Sequence, residues 1–378
     1  MSSLVRKSLH AFVPSNFHNV AHLAKNLIQH PHSAGKMAMV YAGLGVVVSP
    51  FDKAMKIREA KLHPDALTPE HPVIFVCGAP RSGTTMMGQS LIKTLDVHFF
   101  NNLTSLFPHA PITAQRWFKS WVQLDRERMK ISSLYGRTAR LKDPNDGLYF
   151  WDKWRGTHDR KEIPTALSEG AETEIPRFFA KMEAQYGLPV LQKNNSLNTF
   201  AHLVAPILPT AQFVCMDRDP VYHAQSLLLA RRFIHNDDLI SYGTQGYEGI
   251  DPMHSGVESV CHQVVFHKEI AKRQQALVGA DRFRIISYED FCEQPAETID
   301  QLAKDILGSS PGLDNLRKNM AQIQASTKQK LSDEEFGFIQ DFFQRWELEQ
   351  AAHHTSDTQP TESAQSPKVS KVGKPNAR

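Results

Sequence analysis

Cysteine is scarce in this sequence and never closely paired. The 378 residues hold four, Cys77, Cys215, Cys261 and Cys292, with no C-x-x-C spacing among them. That pattern offers no disulfide framework and no common zinc signature, and it favours a reducing compartment such as the cytoplasm. Charge of one sign is missing too. Lys and Arg number 43 against 40 Asp and Glu, a formal net charge of +3. A chain that coats nucleic acid would be more basic, whereas a small surplus suits one local anionic site. The N-terminus, "MSSLVRKSLHAFVPS", lacks a signal-peptide apolar core. The apolar run Met37 to Val48, "MAMVYAGLGVVV", is about a dozen residues long, whereas a spanning helix needs roughly 20. A buried or docking helix and peripheral membrane contact both suit such a run. No internal repeat is present.

With 41% hydrophobic and 22% charged residues the composition is that of an ordinary globular protein. Residues 1–65 read as a helical N-terminal extension that ends in the Pro-rich connector "KLHPDALTPEHP". Short apolar segments then alternate with helical ones. "PVIFVC" (72–77), "LPVLQK" (188–193), "AQFVCM" (211–216) and "RFRIIS" (282–287) predict strands covered on both faces. Helical patterns fall at 84–95, 175–185, 221–234, 256–277 and 295–307. The expected fold is an α/β three-layer, P-loop-like domain over 66–352 with a mostly parallel central sheet. Residues 101–170 form an insertion expected over the carboxyl edge of that sheet, where open α/β folds bind ligands. It carries Trp117, Trp121, Phe150, Trp151 and Trp154, which suit either an acceptor cleft or plain core. The tail 353–378 lacks apolar periodicity and is expected to be disordered.

One further absence is the most informative. The first strand runs into Gly78-Ala79-Pro80-Arg81-Ser82-Gly83-Thr84-Thr85, which matches a Walker loop except that Thr84 stands where the lysine belongs. A strand, a Gly-containing turn and a helix start still present free backbone N–H groups to an anion. Ser82, Thr84 and Thr85 add hydroxyls, and Arg81 brings a charge three residues early. A P-loop kinase or NTPase with a variant loop is one alternative. Against it, the candidate magnesium carboxylates Asp217 and Asp219 flank an arginine. A non-catalytic nucleotide-binding protein is the other alternative. A second motif, "VCMDRDPVYHAQSLLLARR", leads a strand through Arg218 into a helix that Asp219 caps and Pro220 starts. Ser226 lies eight residues after Arg218, so an arginine and a hydroxyl can converge on a second, separate phosphate.

"GAPRSGTTMMGQSL", "FVCMDRDPVYHAQSLLLAR" and "RIISYEDFCEQPAETIDQL" together resemble the sulfotransferase superfamily, in its P-R-S-G-T-T branch of bacterial and Golgi-type members. The resemblance spans roughly residues 70–310. It implies sulfonate transfer from 3′-phosphoadenosine 5′-phosphosulfate, without a metal, to a hydroxyl rather than an amine of a small-molecule, lipid or glycan acceptor. It implies that Arg81, Ser82, Gly83, Thr84 and Thr85 cradle the phosphosulfate. Arg218 and Ser226 would bind the 3′-phosphate, and Tyr288 would lie against the adenine or its sugar. Lys193 in "LPVLQKNNS" resembles the strand-end lysine of the family and, with Arg81, is a candidate catalytic cation. Asn195 stands where cytosolic members place a catalytic histidine. The base is therefore sought in the insertion, first at Asp146, then at His158, which titrates near neutrality, and third at His98 in "DVHFF". The C-terminal R-K-G clamp of the cytosolic branch is absent, and Lys328 or Lys330 in "QASTKQKLSDEE" is the candidate replacement.

Overall fold

The computed structural model describes residues 19–62, 66–157, 160–244, 255–320 and 323–356, with side chains through residue 352. Its strands are β1 (Val73–Gly78), β2 (His98–Phe99), β3 (Val190–Lys193), β4 (Ala211–Asp217) and β5 (Phe283–Ser287). All pairings are parallel, in the order β2-β3-β1-β4-β5. The described helices of eight residues or more are numbered in chain order. They are α1 (Val20–Gln29), α2 (Ser33–Ala60), α3 (Thr84–Thr94), α4 (Ala171–Tyr186), α5 (Leu197–Val204), α6 (Pro220–His235), α7 (Gly256–Val278), α8 (Pro295–Leu307) and α9 (Asp333–Ser356).

Burial on both faces explains why the strand sequences are apolar without alternation. All six residues of β1 are buried. Val73, Phe75 and Cys77 pack into one core with Phe179 of α4 and Phe200 of α5. Ile74 and Val76 point the other way, into a second core with Met87 and Leu91 of α3 and Ile299 of α8. Two helical layers thus enclose the sheet, as an α/β three-layer domain requires.

The four anticipated strands are all present. β2 was not anticipated, because two residues inside "DVHFF" carry no periodicity of their own; it exists through pairing with β3. α2 runs for 28 residues, much longer than the apolar run that predicted it, because polar residues up to Ala60 continue its helix. The expected tail falls almost entirely on 357–378, which lie outside the described residues.

Within the insertion, Phe150, Trp151 and Trp154 are buried in the core beside β1. Trp117 and Trp121 instead lie largely exposed to solvent. None of the five lines the cavity described below. The insertion contributes to that cavity through Tyr135, Gly136 and Asp146 instead.

Candidate active site

Parallel register brings the important strand ends to one edge. Val76 pairs with Lys193, Gly78 with Met216, and Asp217 with Ser287. The loop after β1, Lys193 at the end of β3, Arg218 after β4 and Tyr288 after β5 therefore surround one cavity of about 360 Å³. This is the carboxyl edge, where open α/β sheets bind their ligands.

The loop is shaped by backbone conformations that few residues accept. Gly83 caps α3 with φ 101°, and a Cβ there would lie 2.4 Å from Cδ2 of Tyr288. It supplies no side-chain cap, so the first N–H groups of α3 stay available for an anion. Arg81 adopts φ 73°, a left-handed conformation unusual for a residue with a side chain. Ser82 is fully buried, and its hydroxyl donates to the Ala79 carbonyl at 2.8 Å. It braces the loop and is not part of the cavity wall, contrary to the expectation that its hydroxyl would face the ligand. Gly83, Thr84 and Thr85 do line the cavity.

Arg81, Arg218 and Ser226 meet on one side. The Arg81 Nε donates to Ser226 Oγ at 3.2 Å. Arg218 donates to the carbonyls of Arg81 at 3.1 Å and Ser326 at 2.7 Å, and its guanidinium lies 4.6 Å from the Tyr288 ring centroid. Burial presses the Arg218 pKa downward from an ordinary value high enough that the group stays charged. Among the described residues its Nε has no partner, so a buried donor is left over at the cavity wall. The Tyr288 hydroxyl accepts from the Ser326 N–H at 3.3 Å, and burial raises its pKa.

Lys193 and Asp146 meet on the other side, with Lys193 Nζ 2.5 Å from Asp146 Oδ2. A Cβ on Gly136 would lie 3.7 Å from Thr85 Oγ1 and 3.8 Å from Lys193 Nζ, so the ammonium reaches the start of α3. Arg81 also reaches toward the insertion. Its guanidinium is 4.9 Å from the ring centroid of Tyr135, the neighbour of Gly136.

The other candidates separate clearly. His158 lies outside the described residues. His98 sits at the opposite end of β3, paired in register with Val190, and its ring stacks on Tyr186 at 3.6 Å. Burial pushes its pKa down to about 3, so it stays neutral in the core, far from Lys193 along the strand. Asn195 borders the cavity, as does Lys330, whereas Lys328 does not. Gln225 of α6 holds that C-terminal segment in place, donating to the Lys328 carbonyl at 3.0 Å and accepting from the Lys330 N–H at 2.6 Å. Asp217, weighed above as a magnesium ligand, instead accepts from Lys268 Nζ at 2.7 Å.

Tyr135, Gly136 and Ser326 border the cavity without having been singled out in the sequence. "YG" within the insertion was a turn signal that could have drawn attention to Tyr135. Ser326 acts only through its backbone and left no signal.

The sequence model of the sulfotransferase family matches residues 72–307, more than half of the chain. This protein belongs to the sulfotransferase family, and it is a sulfotransferase. No curated protein sequence matches it closely. Among solved structures, sulfotransferase STF9 from Mycobacterium avium aligns at 12% identity and TM-score 0.48, covering 90% of this chain and 94% of that one. Sulfotransferase STF1 from Mycobacterium tuberculosis aligns at 12% identity and TM-score 0.47, covering 88% of each chain. The sulfotransferase domain of the Synechococcus olefin synthase aligns at 14% identity and TM-score 0.37, covering 74% of this chain and 97% of the domain.

Proposed function

We propose that this sulfotransferase takes its sulfonate from 3′-phosphoadenosine 5′-phosphosulfate and passes it in line to a hydroxyl of a small-molecule, lipid or glycan acceptor. The supporting observation is the division of the cavity's polar groups into two sets, Arg218–Arg81–Ser226 and Lys193–Asp146, on either side of the start of α3. A donor with one phosphate at each end of its ribose needs two such sets.

The residues fit that donor. The Nε of Arg218, without a partner among the described residues, is available to an anion at the 3′-phosphate end, as is Ser226, which also borders the cavity. The bare helix start at Gly83, with Thr84 and Thr85, suits the phosphosulfate. Tyr288, packed beneath Gly83 and Arg218, suits the adenosine portion. Lys330 adds a cation from the C-terminal segment.

When bound, the donor supplies a sulfonate whose sulfur–oxygen bond to phosphate breaks as the acceptor oxygen forms a new one. Lys193 balances negative charge that grows on the departing phosphate oxygen, and Arg81 assists from the loop. Asp146 fixes the Lys193 ammonium and offers a carboxylate for the proton of the acceptor hydroxyl. All four cysteines are free and buried, which supports work in a reducing compartment such as the cytoplasm.

Calorimetric titration with 3′-phosphoadenosine 5′-phosphate in EDTA, with ATP as comparison, tests the donor. Micromolar binding that favours the 3′-phosphate is expected. ATP binding that appears only with magnesium would overturn the donor assignment. Transfer of labelled sulfate to an alcohol library then tests the acceptor class.

A further inference from the structure

α2 is long and apolar enough to cross a membrane by length and composition. Its packing shows a different use. One face is committed to the protein: Tyr41, Ala42, Gly45, Asp52 and Met55 are buried. The Tyr41 hydroxyl donates to the Ala139 carbonyl at 2.7 Å, and the Asp52 carboxylate accepts from the His109 N–H at 3.1 Å. A helix held this way along its length cannot leave the domain to span a bilayer.

The other face carries Val40, Leu44, Val47 and Phe51, spaced four, three and four apart as one helical stripe. All four are exposed, Val47 at 74%. Two tryptophans extend the stripe sideways. Trp117 lies 6.1 Å from Phe51, centroid to centroid, and Trp121, 64% exposed, packs on Phe118 at 5.2 Å. Singly exposed apolar residues are ordinary, but a contiguous stripe with two tryptophans is a docking surface.

Charge along the helix identifies the partner. The cations of α2, Lys36, Lys53, Lys56 and Arg58, are all exposed. Its two acids both turn inward: Asp52 to His109, and Glu59 to the Thr113 N–H at 2.8 Å. No acidic side chain of α2 is therefore free to oppose an anionic surface. The Arg58 guanidinium also lies 5.1 Å from the Trp117 ring centroid, so a cation and an aromatic end together at the margin of the stripe. At about 100° per residue Lys36 and Arg58 fall on the stripe's side of the helix, whereas Lys53 and Lys56 fall on the other side. Apolar residues bounded by tryptophan and by cations, with no acid among them, are the arrangement of a helix lying in a membrane interface.

We infer that α2, with Trp117 and Trp121, docks this sulfotransferase peripherally on an anionic phospholipid bilayer, the helix lying in the plane of the surface. The stripe supplies apolar insertion, and Lys36 and Arg58, exposed on the same side, supply attraction to lipid phosphates. Neither alone gives stable binding, and together they provide two signals.

Flotation of the full-length protein tests this, on vesicles of pure phosphatidylcholine and on vesicles with one-third phosphatidylglycerol. The protein should float with the anionic vesicles about tenfold better than with the neutral ones, and less so as salt rises. The double variant Val47→Asp/Trp121→Asp should lose about tenfold of that binding. Both positions are exposed and outside the cavity, so its melting temperature should match the parent. Lys36→Glu/Arg58→Glu should weaken binding to anionic vesicles and leave any residual binding to neutral ones. Absence of flotation with anionic vesicles would overturn the inference, as would equal flotation by the aspartate variant. A parent dimer in sedimentation velocity that the aspartate variant breaks would also overturn it, assigning the face to a second copy of the chain.

Discussion

Lys193 Nζ lies 2.5 Å from Asp146 Oδ2, an ion pair that joins the end of β3 to the insertion 47 residues earlier in the chain. Lys193 is nine-tenths buried and both residues border the cavity, so this contact links the sheet edge to the insertion at the place where chemistry is proposed. Lys193→Ala should lower kcat by roughly 10²–10³-fold, the usual cost of removing one group that stabilises developing charge. Asp146→Asn should lower it by about 10²-fold or more if the carboxylate accepts the acceptor proton. Since one residue orients the other, the double variant should lose much less than the product of the two. Full multiplicativity in single-turnover rates would show that the pair acts as two independent groups. An Asp146→Asn variant with parental kcat would remove Asp146 as the base.

Arg218 is expected to discriminate the donor by its 3′-phosphate. Arg218→Ala should weaken binding of 3′-phosphoadenosine 5′-phosphate by about 2–5 kcal/mol, the range for truncating one partner of a buried charged hydrogen bond. Affinity for adenosine 5′-phosphosulfate, which lacks that phosphate, should change much less. Because Arg218 also supports the Arg81 and Ser326 carbonyls, a thermal melt must accompany the titration. Equal losses for both ligands would mean that Arg218 holds the loop and does not read the phosphate.

The gathering of these residues at one cavity was legible in the sequence because both proposed phosphate motifs are local. Arg81 to Thr85 occupy one strand–turn–helix, and Arg218 and Ser226 another, so spacing along the chain almost fixes spacing in space. Lys193 could be placed because strand ends gather at one edge of a parallel sheet. The failures came where position depends on the whole fold. The tryptophans of the insertion have no period that separates core from cleft; Trp154 is buried and Trp121 is not. Tyr135 reaches Arg81 by way of a loop whose path no local pattern dictates. Ser82 shows that a hydroxyl inside a motif can be turned to brace the loop, which spacing along the chain does not reveal.

Gly83 should tolerate no side chain, for two separable reasons. Its φ of 101° disfavours any L-residue, and an added Cβ would meet Tyr288 at 2.4 Å. Gly83→Ala should cost on the order of 1–3 kcal/mol of stability and strongly weaken donor binding. Gly83→Ala/Tyr288→Ala removes the collision and keeps the backbone strain. It should recover part of the stability but not the affinity, because Tyr288 also lines the cavity. Complete recovery of stability would show that the backbone conformation is not strained.

Acid should destabilise the fold through buried neutral histidines. His267 donates from Nε2 to the Thr244 carbonyl at 3.0 Å, which leaves Nδ1 to accept from the Asn198 amide at 3.2 Å. Neither contact needs a charged ring, and burial pushes the His267 pKa down to about 4, as it pushes that of His98 to about 3. In the unfolded chain both would titrate near 6.5. Between that value and the folded pKa the unfolded state binds more protons, so stability is complete above about pH 6.5 and falls as pH drops toward the folded pKa. Each such histidine contributes a slope of up to about 1.4 kcal/mol per pH unit, or roughly 3 kcal/mol for His267 across its window. The cleaner probe is His98, which lies away from the cavity and stacks on Tyr186 at 3.6 Å. His98→Phe preserves an aromatic stack and removes the titration. Urea midpoints of the parent should fall more steeply between about pH 6 and about pH 4.5 than those of His98→Phe, by close to one proton in the linkage slope. Parallel curves for the two proteins would mean that His98 titrates alike in the folded and unfolded states, and that acid acts on the fold through other groups.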